Sequence, residues 1–273
     1  MCHGRALPVL TIFLNRIKKK QKMKVFNHTL SWTRLFVLAG AVSFSITSCN
    51  TDEQPETPTD PSSNPPTPSF EAGYGTLAAI KSVTTFDPGF GVPIQEIVLG
   101  LGSAGFTNGT DYATLLEAGT VTLEDETLDR YDNNAYLSQI EQTNPTGIDF
   151  SGNPSWTVSG SGSVPAFSHT TNIGFPTLGN ITSSTTIPGT GDYVLTVANV
   201  SGADSVWYML GGVVHVEGPG VVSSTFTEAE IDGMGTGANF VQVAPYRFEV
   251  ANYGGKDFYF VTETVKTQSV TIE

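Results

Sequence analysis

The chain has 273 residues, with 26 Asp and Glu against 13 Lys and Arg, and only two cysteines, Cys2 and Cys49. Eight basic residues and no acid precede residue 49, so residues 49–273 carry five basic residues, all 26 acids and a net charge of −21. A surface that acidic repels phosphate backbones and excludes nucleic-acid binding, and two cysteines build neither a disulfide framework nor a Cys-rich zinc site.

Residues 1–22 hold Lys18-Lys19-Lys20 and make an oddly long basic leader, whereas Met23 opens a segment of normal signal length. The reading predicts that residues 1–22 are a misassigned extension and that translation starts at Met23. In residues 23–48 a weakly basic start (Lys24, Arg34) precedes an apolar stretch from Leu35 to Ile46. That stretch has about 12 residues, where a membrane-spanning helix needs about 20, so it fits the apolar region of a secretory signal. Ile46-Thr47-Ser48-Cys49 resembles a bacterial lipobox. The resemblance implies that 23–48 is cleaved and that Cys49 becomes the lipid-bearing first residue, which anchors the protein to a membrane. Asn50-Thr51-Asp52-Glu53-Gln54 resembles the acidic export signal of Bacteroidetes-type surface lipoproteins. That likeness implies an outer-membrane lipoprotein exposed at the cell surface, a periplasm-facing tail being the alternative.

Residues 49–69 follow as a tether. Six prolines, four acids and no large apolar residue between 50 and 69 cannot bury enough surface to fold. Twenty residues of Pro-rich chain extend to roughly 60 Å.

From residue 70 onward, short runs rich in Val, Ile, Thr, Tyr and Phe alternate with Gly, Asn, Asp and Pro clusters. This pattern predicts strands near 75–85, 94–106, 119–123, 127–131, 135–140, 155–159, 165–171, 180–187, 192–200, 203–210, 212–217, 220–226, 239–251, 257–265 and 268–272. A turn or two of helix is expected within Thr110–Ala118. A second is expected at Thr227-Glu228-Ala229-Glu230, which has capping-box spacing and a stop at Gly233. The fold class is all-β, a β-sandwich of immunoglobulin-like or jelly-roll-like type in two packed halves. The Ser159–Ser163 run ahead of Pro165 places the break, giving an N-terminal β domain, 70–160, and a C-terminal immunoglobulin-like sandwich, 165–273. One continuous sandwich with strands exchanged between the halves is the alternative. Near Ala244-Pro245 the apolar parity switches from Val241 and Val243 to Tyr246, Phe248 and Val250, which predicts a bulge or an edge position, because proline cannot donate to a ladder.

Chemistry-bearing motifs are sparse. Gly100-Leu101-Gly102-Ser103-Ala104-Gly105 has dinucleotide-site spacing, yet turn residues follow where a helix would have to start. Its glycines instead predict a bent or closely packed strand. His215 and Glu217 share a strand face, but zinc wants three or four ligands. His169 beside Ser168 is no catalytic pair, since neighbours on a strand point to opposite faces. No cofactor is expected. The acidic cluster Glu124, Asp125, Glu126, Asp129 and Asp132 offers hard oxygens for calcium, with Asp125, Asp129 and Asp132 the candidate ligands. Trp156, at a strand start after Asn153-Pro154, is the candidate sugar platform, with Tyr131, Tyr136 and Tyr253 as further ligand-facing rings. With no nucleophile, elbow or carboxylate pair singled out, the chain reads as a non-enzymatic binding module, for example for a polysaccharide. A structural or adhesive protein that binds other envelope proteins is the alternative, and a hydrolase with a concealed site is the third.

Overall fold

A computed structural model describes residues 73–86, 95–111 and 113–273. The leader, the signal, Cys49 and the tether lie outside the described residues. Two long strands come first, β1 (Gly75–Phe86) and β2 (Gln95–Phe106). Short strands follow: β3 (Val121–Leu123), β4 (Glu126–Thr127), β5 (Asp129–Arg130), β6 (Tyr136–Leu137), β7 (Ser155–Val158) and β8 (Phe167–Thr170). Next come β9 (Thr177–Leu178), β10 (Thr186–Ile187), β11 (Tyr193–Thr196), β12 (Val200–Ser201), β13 (Ser205–Leu210), β14 (Val213–Glu217) and β15 (Ser223–Phe226). After a short helix, Glu228–Asp232, the chain ends in two 17-residue strands, β16 (Gly237–Tyr253) and β17 (Lys256–Ile272).

The helix starts as its residue spacing requires. Thr227 caps it, and Glu230 reaches back to the Thr227 backbone N–H at 2.8 Å. The helix expected within Thr110–Ala118 does not form among the described residues. There Asn108 and Asp111 accept from nearby backbone N–H groups, which holds a run of turns instead.

One sheet runs through the molecule in the order β14-β13-β16-β17-β1-β2-β6-β5. Its spine is the β16–β17 hairpin, closed by Gly254 and Gly255 at φ +60° and +78°. Both central residues of that two-residue loop need positive φ, which glycine reaches without strain. The strands expected at 257–265 and 268–272 are one, because Lys266 and Thr267 offer no turn chemistry. β1 lies parallel to β17, from Gly75 opposite Phe258 to Thr84 opposite Thr267, and β10 continues the same edge at Thr271 and Ile272.

This pairing corrects the division at 160–165. The first strands of the N-terminal part and the last strand of the chain share one ladder, so the described chain is a continuous sandwich with strands exchanged across the expected break. The halves survive as two separate cores on one face of the sheet, here called the inner face. The first gathers Leu77, Phe106, Phe258 and Phe260 of the large sheet against Leu123, Trp156, Val158 and Phe167 of the four-stranded sheet β4-β3-β7-β8. The second gathers Val206, Tyr208, Val241, Val243, Val270 and Ile272 against Tyr193 and Leu195 of β11, Phe226 of β15 and Ile231 of the helix. Between the cores, Thr262 and Thr264 on β17 donate to the Gly174 and Pro176 carbonyls at 2.9 and 2.7 Å. These bonds satisfy the backbone that crosses from one core to the other.

Pro245 makes neither a bulge nor an edge. Val243 pairs with Lys266 and Tyr246 with Glu263, so no residue is inserted, and β16 lies between β13 and β17. The β13 ladder runs unbroken through Pro245, while the β17 ladder lapses at Ala244 and Pro245, where the missing N–H would have donated. The parity switch has another cause: residues 241–246 are all buried, so both faces of the strand are packed there.

Val270 and Ile272 are 3% and 4% exposed and belong to the second core. A chain ending at Thr267 loses both side chains and the pairing of residues 268–272 with β16 and β10. It is expected to be about 3–6 kcal/mol less stable in urea unfolding. An unchanged midpoint would show that the last strand is not packed.

Candidate functional site

The outer face of the large sheet is as apolar as the inner one. Ala78, Ile80, Trp207, Met209, Ala244, Tyr246, Val261 and Val265 form a third buried cluster, with Leu101, Val216 and Phe248 packed against it. Every member belongs to β1, β2, β13, β14, β16 or β17. Among the described residues no second layer contributes to this cluster, yet its buried members are only 0–6% exposed, so the face is not an open surface.

Register alone places the rows of this face, since alternate residues share a face and paired residues stand side by side. The central row reads Ser205, Tyr246, Glu263, Ile80, Leu101 across β13, β16, β17, β1 and β2. Phe248, Val261, Ala78 and Ser103 form the row on one side. Trp207 beside Ala244, and Val265 beside Ser82, form the row on the other.

Glu263 is the one carboxylate in these rows, and it is 5% exposed. Burial pushes its carboxyl up to about 8, so it is largely protonated at neutral pH. Burial also raises the Tyr246 phenol, against hydrogen bonding toward it from Ser205 and Trp207, and with a smaller push from the Glu263 and Asp204 charges. The Trp207 ring meets Tyr246 edge-on at 5.2 Å, its indole N–H short of full hydrogen-bond geometry. The Ser103 hydroxyl is buried and makes no hydrogen bond among the described residues. The result is an uncharged, aromatic sheet face with a few polar groups at its middle. A neutral carboxyl there can donate a hydrogen bond. The rows hold no second carboxylate for paired acid–base work and no base beside a nucleophile.

Two histidines tie the inner layers together. His169 of β8 stacks on Phe260 at 3.8 Å, with Nε2 2.6 Å from Glu249 and Nδ1 2.9 Å from the Tyr253 hydroxyl. His215 of β14 stacks on Phe226 at 4.4 Å, with Nε2 2.9 Å from Glu230 and Nδ1 3.0 Å from Ser224. Ser224, His215 and Glu230 are the residue types of a hydrolase triad, joined here in one hydrogen-bonded set. The Ser224 hydroxyl lies between two acceptors, donating to Glu217 at 2.7 Å and standing 3.0 Å from His215 Nδ1. Burial pushes the Glu230 carboxyl up, but the hydrogen bonds from His215 and Thr227 outweigh it and hold it below its ordinary value. Ser224 and Glu230 escaped the sequence reading because each meets His215 only through folding.

The residues singled out in the sequence do not meet at one place. Trp156 is 1% exposed, in the first core, because its strand position turns inward; a ring so placed cannot serve as a platform. Tyr136 is equally buried, and its hydroxyl accepts from the Ala118 N–H at 2.9 Å. Tyr253 is half-buried, stacked on Phe167 at 4.5 Å. Tyr131 alone of the four is exposed, with Gln139 donating to its hydroxyl. The other exposed aromatic ring among the described residues is Phe240, on β16. Tyr131 follows β5 at the far edge of the sheet, about 24 Å away by strand spacing, so the two rings form no row.

The candidate calcium ligands separate as well. Leu128 turns into the first core and splits the expected strand 127–131 in two. β4 then joins the small sheet and β5 the large one, leaving Asp125 and Asp129 on different sheets. Among the described residues, no three His, Cys, Asp or Glu side chains gather to hold a metal. The chain matches no protein-family model and no curated protein.

Proposed function

We propose that this chain is a lipid-anchored ectodomain of a bacterial envelope, acting as a non-enzymatic binding module. The observation that carries this reading is the lipobox-like Ile46–Cys49, followed by an acidic, Pro-rich segment ahead of an all-β domain. The lipobox, the acidic residues after Cys49 and the Pro-rich tether support display at the surface of the outer membrane. A polysaccharide has the exposed Tyr131 ring in its favour, and a single ring is a weak sugar platform.

The anchor is tested by fatty-acid labelling and fractionation in a bacterium that processes lipoproteins. The wild-type chain is expected to take up label and sediment with membranes, and Cys49→Ala to lose the label entirely. Label retained by Cys49→Ala would overturn lipidation at that residue.

A further inference from the structure

We infer that the free edge of β14 docks an extended protein segment, which adds a strand to the large sheet and carries a basic residue between two apolar ones. The inference rests on the binding-module reading above and names its site and partner. Its test does not involve the anchor, so either can fail alone.

β14 ends the large sheet, and among the described residues nothing pairs with its far side. Its hairpin with β13 fixes which backbone groups are left over. The loop is two residues, Gly211 and Gly212, so Leu210–Val213, Tyr208–His215 and Val206–Glu217 are the hydrogen-bonded pairs. The N–H and C=O groups of Val214 and Val216 therefore point away from β13. No residue of the strand is buried, and Val214, at the margin of the outer face, is 41% exposed. Natural sheets guard such an edge with lysine, proline, a bulge or extreme shortness. The opposite end of this sheet is guarded in that way, since β5 has only two residues, Asp129 and Arg130, both exposed. β14 has five residues and no lysine or proline.

The two sides of the edge differ in chemistry. Val214 and Val216 stand on the outer face, His215 and Glu217 on the inner. Paired residues share a face, so an added strand sets two side chains beside Val214 and Val216 and the one between them beside His215. A long cationic side chain at that middle place reaches toward Glu217, two residues along β14, and toward Glu230, which holds His215 at 2.9 Å. His215 and Glu230 keep 24% and 32% of their side chains exposed, and among the described residues neither glutamate pairs with a lysine or arginine. Residues 190–235, which build this corner, hold six acids and no Lys or Arg. Main-chain pairing gives such additions their affinity, and alternate side chains select the partner. Here the selection is apolar, basic, apolar. A second copy fits worse: it brings the same acids, and a strand about 17 Å long covers far less than the roughly 800 Å² per partner of a stable interface. The tether fits worse too, because its six prolines cannot donate to a ladder and its four acids meet Glu217 as like charges.

The test uses the lipid-free mature chain beginning at Asn50, since every residue of both inner-face cores lies between Tyr74 and Ile272. A dye-labelled peptide, Thr-Val-Lys-Val-Thr, is titrated with it and followed by fluorescence anisotropy. The peptide is expected to bind, and its counterpart with Glu in place of Lys to bind at least about tenfold more weakly. A peptide N-methylated at both valines keeps the side chains without the ladder donors and is expected to lose binding. Val214→Pro removes an edge N–H that the β13 ladder does not use. It is expected to melt cooperatively and to weaken binding at least about tenfold. No binding of the basic peptide by the wild type at about 1 mM overturns the inference. So does undiminished binding of the N-methylated peptide, or of the basic peptide by a folded Val214→Pro variant. A wild-type dimer that excludes the peptide and is broken by Val214→Pro places a second copy at the edge and overturns the basic partner.

Discussion

Glu263→Gln is expected to flatten the pH dependence of stability on the alkaline side. Burial raises the Glu263 carboxyl to about 8 from the 4.5 of an unperturbed chain. Between these values the folded state keeps a proton that the unfolded chain has released, so stability falls as pH rises. The stabilisation is complete below pH 4.5, is lost progressively up to about pH 8, and levels off above. The gap corresponds to about 4–5 kcal/mol, a large share of the roughly 5–15 kcal/mol that holds a domain together. For a chain of this size that amounts to about 10 °C or more in melting temperature. Glutamine keeps the shape and the hydrogen-bond donor and does not ionise. The variant should match the wild type near pH 4.5 and melt higher than it at pH 8.5. Tyr246 stands across the ladder from Glu263 with Asp204 near it, and burial, which raises the Tyr246 phenol, keeps it neutral over this range. The carboxylates held down elsewhere, Glu230 among them, act in the opposite sense and at lower pH. Subtracting the variant's profile from that of the wild type removes their contribution. A difference that stays flat from pH 4.5 to 8.5 would mean that Glu263 is solvated in the folded protein.

The second large effect is expected at Gly100. The loop 146–148 lies directly against β2 here, with the Gly100 N–H donating to the Thr146 carbonyl and the Ile148 N–H donating to the Gly100 carbonyl, both at 2.9 Å. A Cβ on Gly100 would overlap the Ile148 carbonyl oxygen and crowd Phe150. Gly147 meets the same strand from the other side at φ +67°, where a side chain would also be strained. Gly100→Ala must therefore move backbone, break both hydrogen bonds and pull Ile148 and Phe150 out of the first core. Overpacking costs about 1–3 kcal/mol and each orphaned backbone group about 1–3 more, which predicts a loss of about 3–6 kcal/mol. Urea unfolding of the purified variant, or its failure to accumulate as soluble protein, measures it. Near-wild-type stability would mean that the 146–148 loop can lift away freely.

The same glycine shows what was legible in the sequence. The spacing of Gly100, Gly102 and Gly105 without a following helix was enough to reject a nucleotide site and to expect close packing. What packs there, a loop almost fifty residues further on, is not encoded in any local pattern. The capping box at Thr227, the hairpin turn at Gly254-Gly255 and most strand positions were legible for the same reason, since short-range sterics and hydrogen bonding decide them. Where reasoning by residue type failed, long-range packing had overridden it. Trp156 and Tyr136 sit next to polar loops in the chain but point inward, because the four-stranded sheet needs large rings to fill its gap from the large one. The acidic cluster looked like one surface until Leu128 entered the core and sent its neighbours to separate sheets.

By itself the sequence determined the all-β class, the capping box at Thr227 and most turns and strand positions. Alternation, proline and glycine act over a few residues, and that range suffices for such features. The tertiary structure alone decided that the first strand lies parallel to the last, that two cores share one sheet, and that the outer face carries a buried acid among apolar rows. These depend on which distant strands become neighbours. Period-two alternation says that a residue faces one side of its strand, and only the ladder says what stands beside it.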